Sequence, residues 1–151
     1  MDLKKYKNST VLVTGHTGFK GSWLSAWLHS LGANVVGVSL DIPSEPSHYI
    51  VSNLNKISVD NRLDIRDYIS LKSTILEIQP DYIFHLAAQP LVQRSYDDPL
   101  DTFQTNVIGT LNLMEAIRSL KKECVVIMIT SDKCYDNQEW LWGYRETDRL
   151  G

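Results

Sequence analysis

Three glycines at fixed spacing, Gly15, Gly18 and Gly21 within TGHTGFKG (14–21), stand between a β-branched run and a segment of helical periodicity. That junction leaves few folds open. Residues 9–14 (STVLVT) have the unbroken apolar character of a strand buried on both faces. From 19 to 31, Phe19, Trp23, Leu24, Trp27, Leu28 and Leu31 recur at helical spacing, and Gly32 stands where a C-terminal cap belongs. In a strand–glycine turn–helix unit, Gly15 allows the tight turn, Gly18 lets backbone approach a pyrophosphate and Gly21 lets the helix pack on the sheet, while the free N–H groups of the helix start face the anion. The spacing is GxxGxxG rather than GxGxxG. The competing reading, glycines that serve turns alone, is weakened by the strand and helix on either side.

The alternation continues. Residues 34–40 (NVVGVSL) read as a second strand ending at Asp41, and IPSEPS after it as a loop. A strand is expected at 57–60, a helix at 67–79 with a stop at Pro80, and a buried strand at 81–88 (DYIFHLAA). Pro99 opens a helix with one apolar face marked by Leu100, Phe103, Val107, Leu111, Met114 and Ile117. Residues 125–130 (VVIMIT) close the series as strand five, with Cys124 starting it. Strands alternating with helices imply an α/β fold with a doubly wound parallel sheet, a Rossmann-like domain. With 43% hydrophobic and 22% charged residues, a length of 151 suits one such domain over 1–151, here incomplete at its C-terminal end and with no second domain in the chain.

A formal charge of −3 and a pI near 5.7, with no basic stripe, argue against a nucleic-acid partner. No apolar run is long enough for a signal peptide or a membrane span, so a soluble cytoplasmic protein is expected. Cys124 and Cys134 lack CxxC spacing and are read as reduced, and no histidine pair has metal-ligand spacing. His16 lies inside the glycine loop and helps shape it; His85 lies beside the strand end that faces the cofactor; His29 and His48 have no evident partner. Trp23 and Trp27, spaced by four on the first helix, are expected as core or sheet-packing residues rather than a ligand box.

Asp41, at the end of strand two, stands where an acid meets the adenosine ribose hydroxyls, and a carboxylate there repels a 2′-phosphate. No lysine or arginine occurs between Gly21 and Lys56, so NAD is favoured over NADP. The other reading of Asp41 is a solvated loop acid. Asp64 and Ile65, after strand three, are placed to flank adenine; the rival reading is a helix cap and a core residue.

TGHTGFKG, DIRD (64–67), HLAA (85–88), TNVIGT (105–110) and TSDKCY (130–135) occur in the order found in extended short-chain dehydrogenases, which the chain resembles over nearly its whole length. Within that superfamily TGHTGFKGSW (14–23), Gln89-Pro90-Leu91-Val92 followed by Arg94-Ser95-Tyr96, and EWLWGYRE (139–146) resemble the CDP-glucose 4,6-dehydratases. The resemblance implies a nucleotide-sugar substrate, CDP-glucose, a homo-oligomer, and a cycle on one NAD: hydride leaves sugar C4, water is eliminated across C5 and C6, and hydride returns to C6. It adds Thr17, Phe19, Lys20, Leu86, Ala87, Ala88 and Thr105 to the cofactor set, and assigns Gln89, Asn106 and Tyr135 to the substrate side. Ser131, Asp132 and Lys133 match the catalytic triplet, which resembles Thr-Asp-Glu in related dTDP-glucose dehydratases. By position Ser131 bonds the sugar 4-hydroxyl, Asp132 protonates the departing 6-hydroxyl and Lys133 removes the C5 proton, a role that requires a neutral amine. A surface ion pair is the other reading of Asp132 and Lys133.

The superfamily's YxxxK pair is missing at the expected place: Tyr135 is followed at that spacing by Glu139, and Tyr144 by Asp148. Tyr68 and Lys72 fit the spacing but lie upstream of the catalytic strand, and the match is read as accidental. Tyr135, Trp140, Trp142 and Tyr144 line the substrate side or sit by chance in an exposed loop. Two classes of reading therefore stand: a fragment of a dehydratase, inactive alone, with another nucleotide-sugar dehydratase or epimerase as the runner-up among enzymes, or a non-catalytic NAD-binding module.

Overall fold

The computed structural model describes residues 3–131 and 133–151. Five strands, β1 (Thr10–Thr14), β2 (Asn34–Ser39), β3 (Val59–Arg62), β4 (Tyr82–His85) and β5 (Val125–Met128), form one parallel sheet in the order β3-β2-β1-β4-β5. The order reverses between β1 and β4. At such a switch point the connections leave to opposite faces, and a crevice opens beyond the carboxyl ends of the strands.

The helices are α1 (Phe19–Ser30), α2 (His48–Val51), α3 (Tyr68–Ile78), α4 (Val92–Asp97), α5 (Pro99–Phe103) and α6 (Thr110–Ile117); a π-helical stretch, Gln104–Gly109, joins α5 to α6. Alternating side chains divide the core in two. Leu12, Val38 and Ile83 pack with Leu71 and Ile75 of α3 and with Leu113 and Ala116 of α6. Val11, Val13 and Val35 pack on the other face with Leu28 of α1 and Tyr6. The continuous apolar sequence of β1 follows from this, since neither of its faces meets water.

Five expectations change. Strand three begins two residues later than expected, and its polar sequence Val59-Asp60-Asn61-Arg62 is tolerated because β3 is an edge strand. Strand four ends at His85, so residues 86–88 leave the sheet as a loop. The apolar stripe Leu100, Phe103, Val107, Leu111 and Met114 points outward, whereas Gly109, Leu113 and Ala116 face the sheet. Helical periodicity identifies apolar faces but not which of two is covered. Trp23 and Trp27 are 55% and 49% exposed rather than core, because α1 meets the sheet through Gly21, Ser22, Ser25 and Leu28. Trp23 instead stacks on His48 of α2, with ring centroids 4.1 Å apart. Cys124 is half-buried just ahead of β5, whose first residue Val125 is exposed at the sheet edge.

Gly109 is where α6 closes on the loop after β3: a Cβ there would lie 2.5 Å from Ile65 Cδ1 and 2.7 Å from Ile65 Cγ1. Gly109→Ala is expected to cost about 1–3 kcal/mol as overpacking, read as a lower urea midpoint at constant m-value. Because Cδ1 is the nearer atom, adding Ile65→Val should restore part of the loss; an additive double variant would contradict this packing.

Candidate functional site

A cleft of about 520 Å³ opens beyond the carboxyl ends of the strands. Gly15, Thr17, Gly18, Phe19, Lys20 and Gly21 form one wall; Ser39, Leu40, Asp41 and Pro43 follow β2; Leu63, Asp64 and Ile65 follow β3. Leu86, Ala87, Ala88 and Pro90 follow β4, and Thr105, Ile129 and Thr130 complete the lining. Every residue the sequence assigned to the cofactor thus lies on one surface. Ser39, Leu40, Pro43, Leu63, Pro90, Ile129 and Thr130 were missed, although a position just past a parallel strand is itself a signal once strand ends are known.

The glycine loop admits no side chain where it crosses the sheet. Gly15 has φ +74°, and a Cβ on it would stand 2.8 Å from the Ala87 nitrogen. A Cβ on Gly21 would run into the Gly15 carbonyl. Gly18 is the N-cap of α1 and no side chain caps it, so the first N–H groups of this 12-residue helix are left for an anion in the cleft. The chemistry of this wall fits a pyrophosphate, and Lys20 adds a cation beside it.

At the β2 rim the Thr17 hydroxyl donates to the Asp41 carbonyl, and the Ile42 N–H donates to Asp41 Oδ1 at 2.8 Å. The β3 rim is pinned differently. Arg66 donates to Asp64 through its backbone N–H and its guanidinium, and reaches Asp101 of α5 at 2.7 Å. Burial raises the Asp64 carboxyl, but the Arg66 hydrogen bonds and charge outweigh it and hold the group below its ordinary range. Asn112 donates to the Ile65 and Arg66 carbonyls, so the loop expected to flank adenine is tied to both α5 and α6.

On the α6 face, buried His85 connects three elements. Thr14 Oγ1 accepts from the Leu86 and Ala87 N–H groups and lies 2.7 Å from His85 Nδ1. His85 Nε2 lies 3.0 Å from Thr110 Oγ1, which donates to the Asn106 carbonyl at 2.7 Å. With both hydroxyl hydrogens placed in this way, Nδ1 accepts and Nε2 carries the proton. Burial pushes the His85 pKa down to about 4, and the ring is neutral.

Gln89 and Asn106, expected on the substrate side, bond each other: the Gln89 N–H donates to Asn106 Oδ1 at 2.8 Å, and Asn106 Nδ2 donates to the Gln89 carbonyl at 3.1 Å. The Gln89 side chain also bonds Leu91 and Thr102. Both residues brace the loop after β4 against the π-helical stretch, a local distortion often found at functional sites. The cleft lining ends at Thr130, and Ser131 and Lys133 are exposed just beyond it. The Lys133 N–H donates to Ser131 Oγ at 3.0 Å. Asp132 lies outside the described residues. Tyr135 stacks on Tyr144 at 5.3 Å between centroids, with Trp140 tilted against Tyr144. Lys72 Nζ lies 3.2 Å from the Tyr68 hydroxyl on α3, and neither residue lines the cleft. Among the described residues no group of three or more His, Cys, Asp or Glu could hold a metal, and no helix is long and apolar enough to cross a membrane.

A family model described as GDP-mannose 4,6 dehydratase matches residues 12–149. Over 151 residues the chain is 48% identical to a CDP-glucose 4,6-dehydratase of Salmonella typhimurium, covering 100% of this chain and 42% of that protein. Identity to a CDP-paratose 2-epimerase of Salmonella typhi is 34%, over 91% of this chain and 41% of that one. A UDP-glucose-4-epimerase from Stenotrophomonas maltophila, solved with bound NAD and formylated UDP-arabinopyranose, superimposes with a TM-score of 0.82 at 27% identity, over 95% of this chain and 43% of that one. The UDP-glucose 4-epimerase of Thermus thermophilus in complex with NAD gives 0.80 at 30% identity, over 94% and 44%. The chain therefore spans about two fifths of the length of these relatives.

His85 sets a pH dependence with a definite sign. Its pKa is about 4 in the folded protein against 6.5 ordinarily, so the unfolded chain binds a proton in that interval and the native one does not. Its contribution to stability is whole above 6.5 and falls as pH drops towards 4, by about 3 kcal/mol at most. Urea unfolding of the wild type and His85→Gln between these pH values should show a shallower loss in the variant; equal slopes would contradict the buried neutral ring.

Proposed function

The chain belongs to the GDP-mannose 4,6 dehydratase family, and on that premise we propose that the protein it comes from is an NAD-dependent nucleotide-sugar 4,6-dehydratase, a hydro-lyase converting CDP-glucose to CDP-4-keto-6-deoxyglucose. The observation that carries the reading is 48% identity along the whole chain to the Salmonella typhimurium CDP-glucose 4,6-dehydratase. NAD as the cofactor is supported by the neighbours solved with it and by the glycine wall, the free start of α1 and the Asp41 rim. When bound, NAD supplies the reversible oxidation and reduction that such a dehydration needs.

The remaining chemistry falls to side chains. Once C4 is a ketone the C5 proton is acidified, and in this reading Lys133 removes it while Asp132 protonates the departing 6-hydroxyl and Ser131 orients the 4-hydroxyl. The tyrosine and lysine of the first step, and the contacts that choose the nucleotide, belong in this reading to the part of the protein beyond these residues. The same reading includes a homo-oligomer in the cytoplasm serving deoxysugar and lipopolysaccharide precursor synthesis. The outward stripe of Leu100, Phe103, Val107, Leu111 and Met114 is apolar surface of the kind that pairing of copies covers. A nucleotide-sugar epimerase is the second reading, favoured by the 34% identity to CDP-paratose 2-epimerase and by the epimerase structures.

Full-length protein given CDP-glucose and NAD is expected to yield the 4-keto-6-deoxy product, identified by mass and NMR; an isomer of unchanged mass would select the epimerase reading. Lys133→Ala in the same protein should slow exchange of the C5 hydrogen with deuterated water by roughly a hundredfold to ten-thousandfold. Wild-type exchange in that variant would remove Lys133 as the base.

A further inference from the structure

On the α1 side of the sheet the apolar core reaches Val13 and Val35, and the next positions along β2 and β3 are polar. Gly37 is in register with Val13 on one side and Asp60 on the other. A Cβ on Gly37 would run into the His16 ring, so the missing side chain makes the slot that this ring fills. From the slot the fully buried imidazole reaches two strands. Nδ1 lies 2.9 Å from Ser39 Oγ on β2, and Nε2 lies 3.0 Å from Asp60 Oδ1 on β3. Tyr49 of α2 meets the His16 ring edge-on and donates its hydroxyl to Asp60 Oδ2 at 2.8 Å. Arg62 donates to the same oxygen through Nε at 3.1 Å and Nη2 at 2.8 Å. Among the described residues the charged and titratable groups facing His16 are thus Asp60 and Arg62 of β3 and Tyr49 of α2.

The protons of this set follow in sequence. Burial raises the Asp60 carboxyl, but the hydrogen bonds from Tyr49 and Arg62 and the nearby charges hold it below its ordinary range, and an ionised carboxylate only accepts. Nε2 of His16 therefore carries the hydrogen. Burial lowers the His16 pKa against the opposing pull of Asp60, and in the neutral ring Nδ1 is an acceptor. The hydroxyl of Ser39 is the donor it meets. Ser39 Oγ in turn stands 3.4 Å from the Thr17 N–H, which donates to it. With its hydrogen turned inward and one lone pair taken by the Thr17 N–H, buried Ser39, which lines the cleft beside Asp41, keeps one lone pair that no protein donor fills.

We propose that His16 and Asp60 are positioning residues that hold Ser39 as a hydrogen-bond acceptor towards the cleft, selecting a dinucleotide with a free ribose hydroxyl over one phosphorylated there. A ribose hydroxyl can donate to Ser39, whereas a phosphate dianion offers only acceptors and meets a lone pair and the Asp41 rim. The inference rests on the reading that a nicotinamide dinucleotide occupies the cleft. A buried polar set in place of apolar packing is tolerated when each member is satisfied, as here, and it then specifies one arrangement.

Three measurements on the full-length protein test this. The ¹⁵N signals of His16 at neutral pH should report the Nε2–H tautomer. Calorimetric titration with NAD and NADP should show that Asp60→Asn and Ser39→Ala each weaken NAD by roughly three- to tenfold and leave NADP within about twofold, narrowing the preference. Acidification that charges His16 puts a hydrogen on Nδ1, directed at Ser39 Oγ and the Val38 carbonyl, and turns the Ser39 hydrogen outward. NAD, which carries no titrating 2′-phosphate, should then lose affinity in the wild type by more than in Ser39→Ala, a response that a purely structural role would not give. An Nδ1–H tautomer at neutral pH, or a NAD-to-NADP ratio unchanged in both variants, overturns the proposal. If wild-type protein binds neither dinucleotide, the reading of the cleft falls and this inference with it.

Discussion

Backbone meets backbone where β1 turns into α1, and the site depends on that contact. Gly15 lies so close to the loop after β4, and Gly21 so close to Gly15, that neither position has room for a Cβ. The closeness brings the start of α1 to the sheet edge with its N–H groups unmatched by any side chain. A wider turn would move the helix start away from the crevice and its partial positive charge with it. The reversal of strand order beside β1 supplies the crevice; the glycines supply the wall that an anion can approach.

Two buried histidines flank this contact, one on each face of the sheet. His85 joins β1 and β4 to α6, and through Thr110 and Asn106 to the loop carrying Gln89. His16 joins the glycine loop to β2 and β3. Burial disfavours the charged form of each ring. A neutral imidazole has one donor and one acceptor nitrogen, so each ring imposes a direction on the hydroxyls around it. Apolar side chains in the same places would pack as well but would leave those hydroxyls unoriented.

Much of the candidate site was legible in the sequence. The glycine spacing, the acid at 41 and the segments following strands three and four named residues that converge on one cleft, whereas Ser131 and Lys133 of the triplet named after strand five lie past its lining. Other features left no local mark. The outward stripe of α5 and α6 and the inward Leu113 and Ala116 are both apolar, and the choice between them was made by Gly109 admitting Ile65. Trp23 and Trp27 have the spacing of a core face, yet small residues on the adjoining face let α1 approach the sheet and left both rings half outside. The brief α2 and α4 helices are too short for periodicity to reveal. Gln89 and Asn106 read as substrate residues from a motif, while their hydrogen bonds to each other arise from a π-helical turn that no pattern announces.

By itself the sequence determined the alternation of strands and helices, the parallel sheet they imply, the glycine turn and the acid on its rim, because each is written in neighbouring residues through periodicity, backbone freedom and charge. Tertiary structure alone decided which apolar faces are covered, where β3 begins, and which partners the buried polar atoms take. His16 shows the reason. Its partners Gly37, Ser39 and Asp60 lie 21, 23 and 44 residues away, and only strand register, which sums packing across the whole sheet, brings a missing side chain, a hydroxyl and a carboxylate around one ring.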